Sequence, residues 1–292
     1  MNTGALADAV RALEVLCVGQ VTHDRYGEDF VSGGCAYFGA RCARALGARV
    51  RFLTGHGEDF TRLDDLSDLD VVSIVSGPST VFTNTYPEGS HRVQKIETVG
   101  PPIPLAALPP AWTRAAVLFL APVFGELDAS EPWFSTVEAK IRAVCLQGFM
   151  KTGDPGTGLV VAGPPLDSRP FFRGADAFFL SEEDIACFGG SGLMEFLRSR
   201  ARHIFVTRGA EGCDIHAAGE ILHAGIYPTV AVDPTGAGDT FAAATSCALA
   251  AGCDPVSAAR LGAAAASFVV EFEGSRNMPA VAHAWERFKH VL

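Results

Sequence analysis

The stretch that decides the fold is Val232-Asp-Pro-Thr-Gly-Ala-Gly-Asp-Thr-Phe241, which runs into an alanine-rich segment ending at Ala251. Gly236 and Gly238 let the backbone approach a ligand closely, because glycine has no side chain to block the contact. The helix that begins here directs unpaired backbone N–H groups outward. Together these features predict an anion site at the start of the helix.

Asp239 stands inside this predicted anion site, where a carboxylate would repel a bound phosphate. Its position makes sense if it accepts the proton of a hydroxyl group that attacks phosphorus. The N–H groups would meanwhile stabilise the charge that develops on the transferred group. The alternative is a Gly-rich turn in which Asp239 only caps the helix and binds the same backbone donors. The short motif by itself leaves both interpretations open.

Short β-branched or aromatic runs alternate with alanine-rich helical stretches on the N-terminal side of this motif. The predicted strands are 15–18, 50–53, 71–75, 116–120, 177–180, 203–207 and 213–216, and a helix is predicted over 35–46. This alternation indicates an α/β fold with a mostly parallel sheet. Segments 21–32 and 76–104 interrupt it and are interpreted as a small β-rich lid. We therefore predict one domain, 1–292, rather than two.

Composition excludes several classes of protein. The chain has 292 residues, is 48% hydrophobic, and carries 23 Lys plus Arg against 33 Asp plus Glu, for a net charge of −10. Disorder is excluded by the hydrophobic content, and an acidic chain without a Lys/Arg run is a poor partner for nucleic acid. No apolar run approaches the roughly 18–20 residues that span a bilayer. Residues 1–16 lack a basic start followed by an apolar core, so a cytoplasmic location is expected.

Zinc-binding and P-loop motifs are also absent from the sequence. The eight cysteines include no C-x-x-C pair, which argues against a zinc ribbon and against a disulfide framework. No Gly-x4-Gly-Lys-Ser/Thr or His-Glu-x-x-His occurs, so neither a P-loop NTPase nor a zinc hydrolase of that type is indicated.

Asp-Pro-Thr-Gly-Ala-Gly-Asp-Thr-Phe, at 233–241, resembles the C-terminal motif of the ribokinase-like (PfkB) carbohydrate kinase family. Three further segments are similar to the family in the same order: the Gly-Gly segment and its helix and strand at 32–59, Leu180-Ser-Glu-Glu-Asp184, and Val206-Thr-Arg-Gly-Ala-Glu-Gly212. The resemblance covers most of the chain. It implies a three-layer α/β/α sandwich with a β lid, and a kinase that uses ATP and Mg²⁺.

The resemblance assigns roles on the donor side of the site residue by residue, with Asp239 as the catalytic base. The other matching positions are the anion hole at Gly236, Ala237 and Gly238, the nucleotide-binding residues Thr207, Gly209 and Gly212, the phosphate contact Lys151, and a loop with Asp233 and Thr235 that binds a monovalent cation such as K⁺ in many relatives. A surface lysine is the alternative for Lys151. An exposed turn is the alternative for the cation loop.

Magnesium binding is where the chain departs from the family pattern. Ser181 and Asp184 stand where relatives usually have Asn and Glu. Because Asp is one methylene shorter than Glu, any contact of Asp184 with magnesium is expected to run through water, with Glu183 as a neighbouring alternative.

The acceptor is expected in the N-terminal half. The resemblance makes Asp24 the ligand of substrate hydroxyls, since a carboxylate accepts two hydrogen bonds and fixes a vicinal diol, with Gly33 and Gly34 turning beside it. His23 and Tyr26 are interpreted as structural. Phe38 occupies a position where many sugar kinases of the family have Asn. The resemblance implies that an aromatic residue there removes a polar contact to the substrate, which argues against ribose or fructose, and some inositol-kinase-like members also have one after the Gly-Gly pair. The expected acceptor is a small sugar, polyol or cyclitol, with an inositol-like compound as the guess.

Two alternatives to that function stay open from the sequence: a nucleoside kinase, and a catalytically silent relative that binds a sugar or nucleotide. A homodimer formed through the lid is expected from the resemblance. No nucleic acid or membrane partner is expected.

Overall fold

The computed structural model describes residues 2–85, 93–168, 172–190 and 192–291. The strands are β1 (Glu14–Val18), β2 (Thr22–Tyr26), β3 (Asp29–Gly33), β4 (Arg49–His56), β5 (Asp70–Val75), β6 (Val81–Thr85), β7 (Val93–Thr98), β8 (Arg114–Leu120), β9 (Glu138–Cys145), β10 (Lys151–Gly153), β11 (Val160–Ala162), β12 (Ala175–Ser181), β13 (Ala201–Thr207), β14 (Cys213–Ala217) and β15 (Glu220–Ala224). The α-helices are α1 (Thr3–Arg11), α2 (Cys35–Ala45), α3 (Trp133–Thr136), α4 (Gln147–Met150), α5 (Glu182–Phe188), α6 (Leu193–Arg198), α7 (Ala237–Ala250), α8 (Pro255–Val269) and α9 (Ala284–Phe288).

The main sheet has nine strands in the order β15-β14-β13-β12-β9-β8-β1-β4-β5. All neighbours from β5 to β13 are parallel, and β14 and β15 continue the sheet antiparallel at one edge. Every strand predicted from the sequence lies in this sheet. The prediction of an α/β fold with a mostly parallel sheet and a small β lid is confirmed.

Helices cover both faces of this sheet. On one face α2, α7 and α8 pack together in a core with Phe52, Phe119 and Phe205. The side chains of α7 are buried from Thr240 to Ala248, which is why this helix is apolar almost all the way round. The other face carries a second core around Trp133 and Phe178 under the shorter helices. No helix in the described ranges is long and apolar enough to cross a membrane.

The lid is a separate four-stranded sheet with the order β3-β2-β6-β7. Its strands come from the two segments predicted for it, and β2 lies antiparallel to β3 and parallel to β6. Phe82 and Ile96 are buried on its inner face, while Thr83 and Lys95 alternate with them and point outward. Part of the predicted lid, 86–92, lies outside the described residues. The division of the chain into one domain stays a prediction.

Candidate active site

A cleft opens where the C-terminal ends of the parallel strands meet the lid. Its lining combines six predicted site residues with residues that the sequence does not single out for a role. The predicted ones are Asp24, Gly34, Lys151, Thr235, Gly236 and Asp239. The others include Cys35, Asn84, Gln94 and Gln147. Clefts outside the carboxyl ends of parallel strands are the usual ligand sites of open α/β sheets.

A larger open depression, of about 590 Å³, lies at the opposite ends of the strands, where β8 and β9 begin. Its lining includes the exposed ion pair of Arg114 with Glu138 and none of the predicted site residues. The cleft under the lid is smaller, about 50 Å³, but it gathers the carboxylates of Asp24 and Asp239, an ammonium group and amides. Because chemistry needs such groups, we assign the site to the cleft.

Asp239 lies in the first turn of α7, three residues after the residue that caps the helix. The capping residue is Gly236, which has φ +79° and no side chain to bind the first N–H groups. A Cβ at Gly236 would lie 2.2 Å from the ring of Phe38, so glycine is needed there for space as well as for conformation. The interpretation of Asp239 as the helix cap is therefore not what the structure shows, and open space lies above Gly238.

Two buried cysteines lie beside the Asp239 carboxylate. Burial, followed by the charge of Asp239, raises the pKa of the Cys35 thiol well above its ordinary value. The same two causes raise the pKa of Cys145, to which the charge of Asp184 also contributes. Both thiols are therefore neutral, and Cys145 lies within the electrostatic reach of two carboxylates that the sequence assigns to the site.

Asp24 projects from the lid strand β2 and is only 6% exposed. The Thr22 hydroxyl donates to Asp24 Oδ1 over 3.1 Å. Gly33 on β3 pairs with Thr22 and lies diagonal to Asp24, and a Cβ at Gly33 would lie 2.3 Å from the Asp24 carboxyl carbon. Gly33 thus makes room for the carboxylate, and it does not line the cleft itself.

Lys151 is tied to the lid by a chain of side-chain hydrogen bonds. Its ammonium group donates to Gln94 Oε1 over 2.9 Å, and Gln94 Nε2 donates to Asn84 Oδ1 over 3.0 Å. Lys151 is 8% exposed, so it is not the surface lysine of the alternative interpretation. Asn84 and Gln94 each lie two residues from a buried residue of the lid, Phe82 and Ile96, so strand alternation places them on the same inward face. This alternation is the sequence signal that could have identified them.

Asp184 and Ser181 form a capping box at the start of α5. Asp184 Oδ2 accepts from the backbone N–H and the hydroxyl of Ser181, and Asp184 Oδ1 accepts from Gln147 over 3.1 Å. Three of about four lone-pair positions are therefore used. A water-mediated magnesium contact fits this carboxylate, whereas a direct one would compete with the capping box. Glu183 is exposed. In the described ranges no group of three or more His, Cys, Asp or Glu could hold a metal.

Asp233 anchors the loop before α7. Its carboxylate accepts from the backbone N–H groups of Thr235 and Gly274, both over 2.9 Å, and from the hydroxyl of Tyr26 over 2.5 Å. Burial would raise the pKa of Asp233, but these hydrogen bonds outweigh it and lower the pKa. The carboxylate is thus committed to protein donors, so a direct cation contact would displace one of them. K⁺ binding by Asp233 and Thr235 remains a prediction.

Thr207, Gly209 and Gly212 lie at the end of β13 and in the turn after it, at the same edge of the sheet as the cleft but outside its lining. Between them Arg208 forms ion pairs with Glu182, Glu211 and Asp214. A nucleotide in this turn would approach the cleft along the ends of β12 and β13.

Comparison with known proteins agrees with this geometry. The sequence model of the family described as "pfkB family carbohydrate kinase" matches residues 176–281, which contain the Asp239 loop. This part of the chain, which is less than half of it, is thus similar to that family. A fructokinase of Klebsiella pneumoniae is 35% identical over 133 residues, which are 42% of this chain and 43% of that enzyme. An inositol 3-kinase of Zea mays is 43% identical over 59 residues, 20% of this chain and 16% of that enzyme. The matched segments thus span less than half the length of these pfkB relatives.

Solved structures extend the likeness in fold to nearly the whole chain. A pyrophosphate-dependent kinase in the ribokinase family superposes with a TM-score of 0.74 at 20% identity, covering 92% of this chain and 99% of that one. The Arabidopsis thaliana ribokinase, solved with ribose and ATP, gives a TM-score of 0.67 at 20% identity and covers 95% and 99%. The ribokinase-like fold of the chain is therefore established.

Proposed function

We propose that the chain is a kinase that transfers the γ-phosphoryl group of ATP to a hydroxyl of a small sugar, polyol or cyclitol. The observation that carries the proposal is the position of Asp239, which lies in the first turn of α7 and faces a cleft shared with Asp24 and Lys151. A partly buried carboxylate next to uncapped helix N–H groups can accept a proton while those groups bind the transferred phosphoryl group.

Each side of the cleft would hold one reactant. Asp24 would bind acceptor hydroxyls from the lid, and Asp239 would take the proton of the attacking hydroxyl. The N–H groups of Gly236, Ala237 and Gly238 would stabilise the phosphoryl group during its transfer. Phosphoryl transfer depends mostly on positioning and on charge stabilisation, and this arrangement supplies both.

Nucleotide and magnesium belong to the same proposal. The turn with Thr207, Gly209 and Gly212 would hold ATP. Asp184 would reach Mg²⁺ through water, and that ion would neutralise phosphate charge when bound. A homodimer through the lid and a cytoplasmic location stay predictions from the sequence.

The acceptor class has support from the relatives. A fructokinase and an inositol 3-kinase match in sequence, and one kinase of the same fold was solved with a pyrophosphate analogue and myo-inositol. These facts describe those proteins. They justify testing D-fructose, D-ribose, myo-inositol and a nucleoside as acceptors, each with ATP and with pyrophosphate as donor.

The decisive variant is Asp239→Asn, assayed beside the unaltered chain. Asn keeps the size of the side chain but cannot accept the proton, so kcat should fall by about 10² to 10⁴ while the melting temperature and ATP affinity hold. Turnover by the unaltered chain of an acceptor in the panel is the first requirement. If Asp239→Asn worked within a few-fold of the unaltered chain, Asp239 would not be the base. If the unaltered chain bound ATP or acceptor but turned over none, it would be the silent relative.

A further inference from the structure

The lid side of the cleft carries a chain of three polar side chains whose direction is fixed by chemistry. A lysine ammonium can only donate hydrogen bonds, so the group of Gln94 that faces Lys151 must be its carbonyl oxygen. The Gln94 amino group then faces Asn84, whose carbonyl oxygen accepts from it. Two successive amides are thereby oriented by one charged residue.

The same direction decides what Asn84 offers to a ligand. Asn84 and Gln94 are cross-strand partners on β6 and β7, and both line the cleft. With its oxygen bound to Gln94, Asn84 has its N–H donors for other partners. Lys151, in the same lining, is also a donor-only group. The lid side formed by these residues is therefore rich in donors.

Two carboxylates of the cleft present only acceptors. Asp24 stands on β2, on the same face of the lid sheet as Phe82 and Asn84, and Asp239 stands on α7. Asp24 pairs with Phe82, and Asn84 lies two residues further along β6, so Asp24 and Asn84 are diagonal neighbours on one face of the lid. A hydroxyl has one proton, so a hydroxyl that donates to Asp24 or Asp239 can only accept from its other neighbours. Donors on the lid complete those bonds.

We propose that Gln94 determines acceptor specificity. Held by Lys151, Gln94 orients Asn84 so that the lid presents N–H donors opposite the carboxylates of Asp24 and Asp239. This separation of donors and acceptors across the cleft selects an uncharged polyol. One ammonium group against two carboxylates gives this set a net negative charge, which disfavours an anionic acceptor. This inference rests on the proposed function and narrows its substrate class.

The activity test uses Gln94→Glu. A glutamate would still accept from Lys151 but could not donate to Asn84, so Asn84 would turn its amino group toward the glutamate and its oxygen toward the cleft. The KM of myo-inositol or D-fructose, whichever the unaltered chain uses better, should rise about tenfold, with the KM of ATP changed less than about twofold. D-gluconate, which is anionic, should be a poorer acceptor than either.

The matched control is Lys95→Gln, which changes the net charge by the same one unit at the next position of β7, on the outward face. It should leave both KM values unchanged. An acceptor KM for Gln94→Glu within twofold of the unaltered chain, or D-gluconate as the preferred acceptor, would overturn the proposal. An equal rise of KM in the control would overturn it as well, because charge alone would then explain the effect.

A stability cycle tests the hydrogen-bond chain without any turnover, and so separates this inference from the proposed function. Asn84→Asp keeps an acceptor for Gln94, and Gln94→Glu keeps an acceptor for Lys151, so each variant should melt near the unaltered chain. The double variant places two carboxylates against each other and should lose several degrees more than the sum of the two. Additive shifts in melting temperature would contradict the hydrogen-bond chain from Lys151 to Asn84. If no acceptor in the panel were turned over while the stability cycle was non-additive, the kinase function would be refuted and the hydrogen-bond chain would stand.

Discussion

Replacing Tyr26 by Phe tests how the lid is joined to the loop that carries Asp239. Tyr26 is at the end of β2, and its hydroxyl donates to Asp233 over 2.5 Å. Phe keeps the ring, which lies under the Arg276 guanidinium at 5.7 Å and against Gly274. The substitution therefore removes the hydrogen bond to the charged Asp233 together with the contact of the hydroxyl with the Thr235 side chain.

The expected cost follows from the partners of Asp233. A hydrogen bond to a charged group contributes about 1.5–3 kcal/mol, and Asp233 keeps the N–H donors of Thr235 and Gly274, so the free energy of unfolding should fall by about 2 kcal/mol. For a domain of this size that is a decrease in melting temperature of roughly 4–8 °C. Tyr227→Phe, which removes a phenolic oxygen from a ring beside Arg287, is the matched control and should cost far less.

The pH dependence provides a second measurement. The pKa of Asp233 is lowered in the folded state, so its ionised form stabilises the fold above the ordinary carboxyl pKa, and this contribution is lost as the pH falls through the lowered value. The Tyr26 hydroxyl is one cause of that lowering. The difference between Tyr26→Phe and the unaltered chain should therefore be largest near neutral pH and shrink below about pH 4. Urea unfolding at both pH values checks this; a difference that is absent, or equal at the two, would refute the reasoning.

Two further substitutions test the acceptor site and the helix packing. Asp24→Ala should raise the acceptor KM about tenfold or more, because each lost hydrogen bond to a charged group costs on the order of 1.5–3 kcal/mol, and it should leave the KM of ATP unchanged in steady-state assays. Gly262→Ala should lower the unfolding free energy by at least about 1 kcal/mol in urea titrations, since its Cβ would lie 2.8 Å from the Phe241 carbonyl oxygen. Gly4→Ala, at an exposed position of α1, should not destabilise the protein.

Seven of the nine strands of the main sheet could be predicted from short apolar runs. The two that were not predicted, β9 and β15, lack such a run. In β9, Lys140 and Arg142 alternate with apolar residues, and only the last three positions are buried. β15 lies at the antiparallel edge and is mostly exposed. Both strands are held by their neighbours' backbone hydrogen bonds rather than by a continuous buried run, so composition alone does not mark them.

The candidate site divides in the same way. The Asp239 loop is local, since its glycines and its carboxylate stand within four consecutive residues, 236–239, and any chain with that spacing presents them together. The chain from Lys151 through Gln94 to Asn84 joins three distant segments and depends on the register of β6 with β7. A shift of β7 by one residue in that register would turn Gln94 away from the cleft and away from Asn84. No local pattern encodes such a pairing.

Phe38 connects these two kinds of information. The sequence indicates that an aromatic residue at this position removes a polar contact to the acceptor. In the structure Phe38 is 1% exposed, and its ring occupies the space next to Gly236 where a Cβ would lie. Phe38 therefore supports the backbone of the predicted anion hole. Further polar contacts to an acceptor are available on the lid, where Asn84 and Gln94 line the cleft. The aromatic residue in α2 and the amides of the lid are thus complementary, and under this proposal acceptor choice depends on lid strands that the local sequence around Asp239 does not specify.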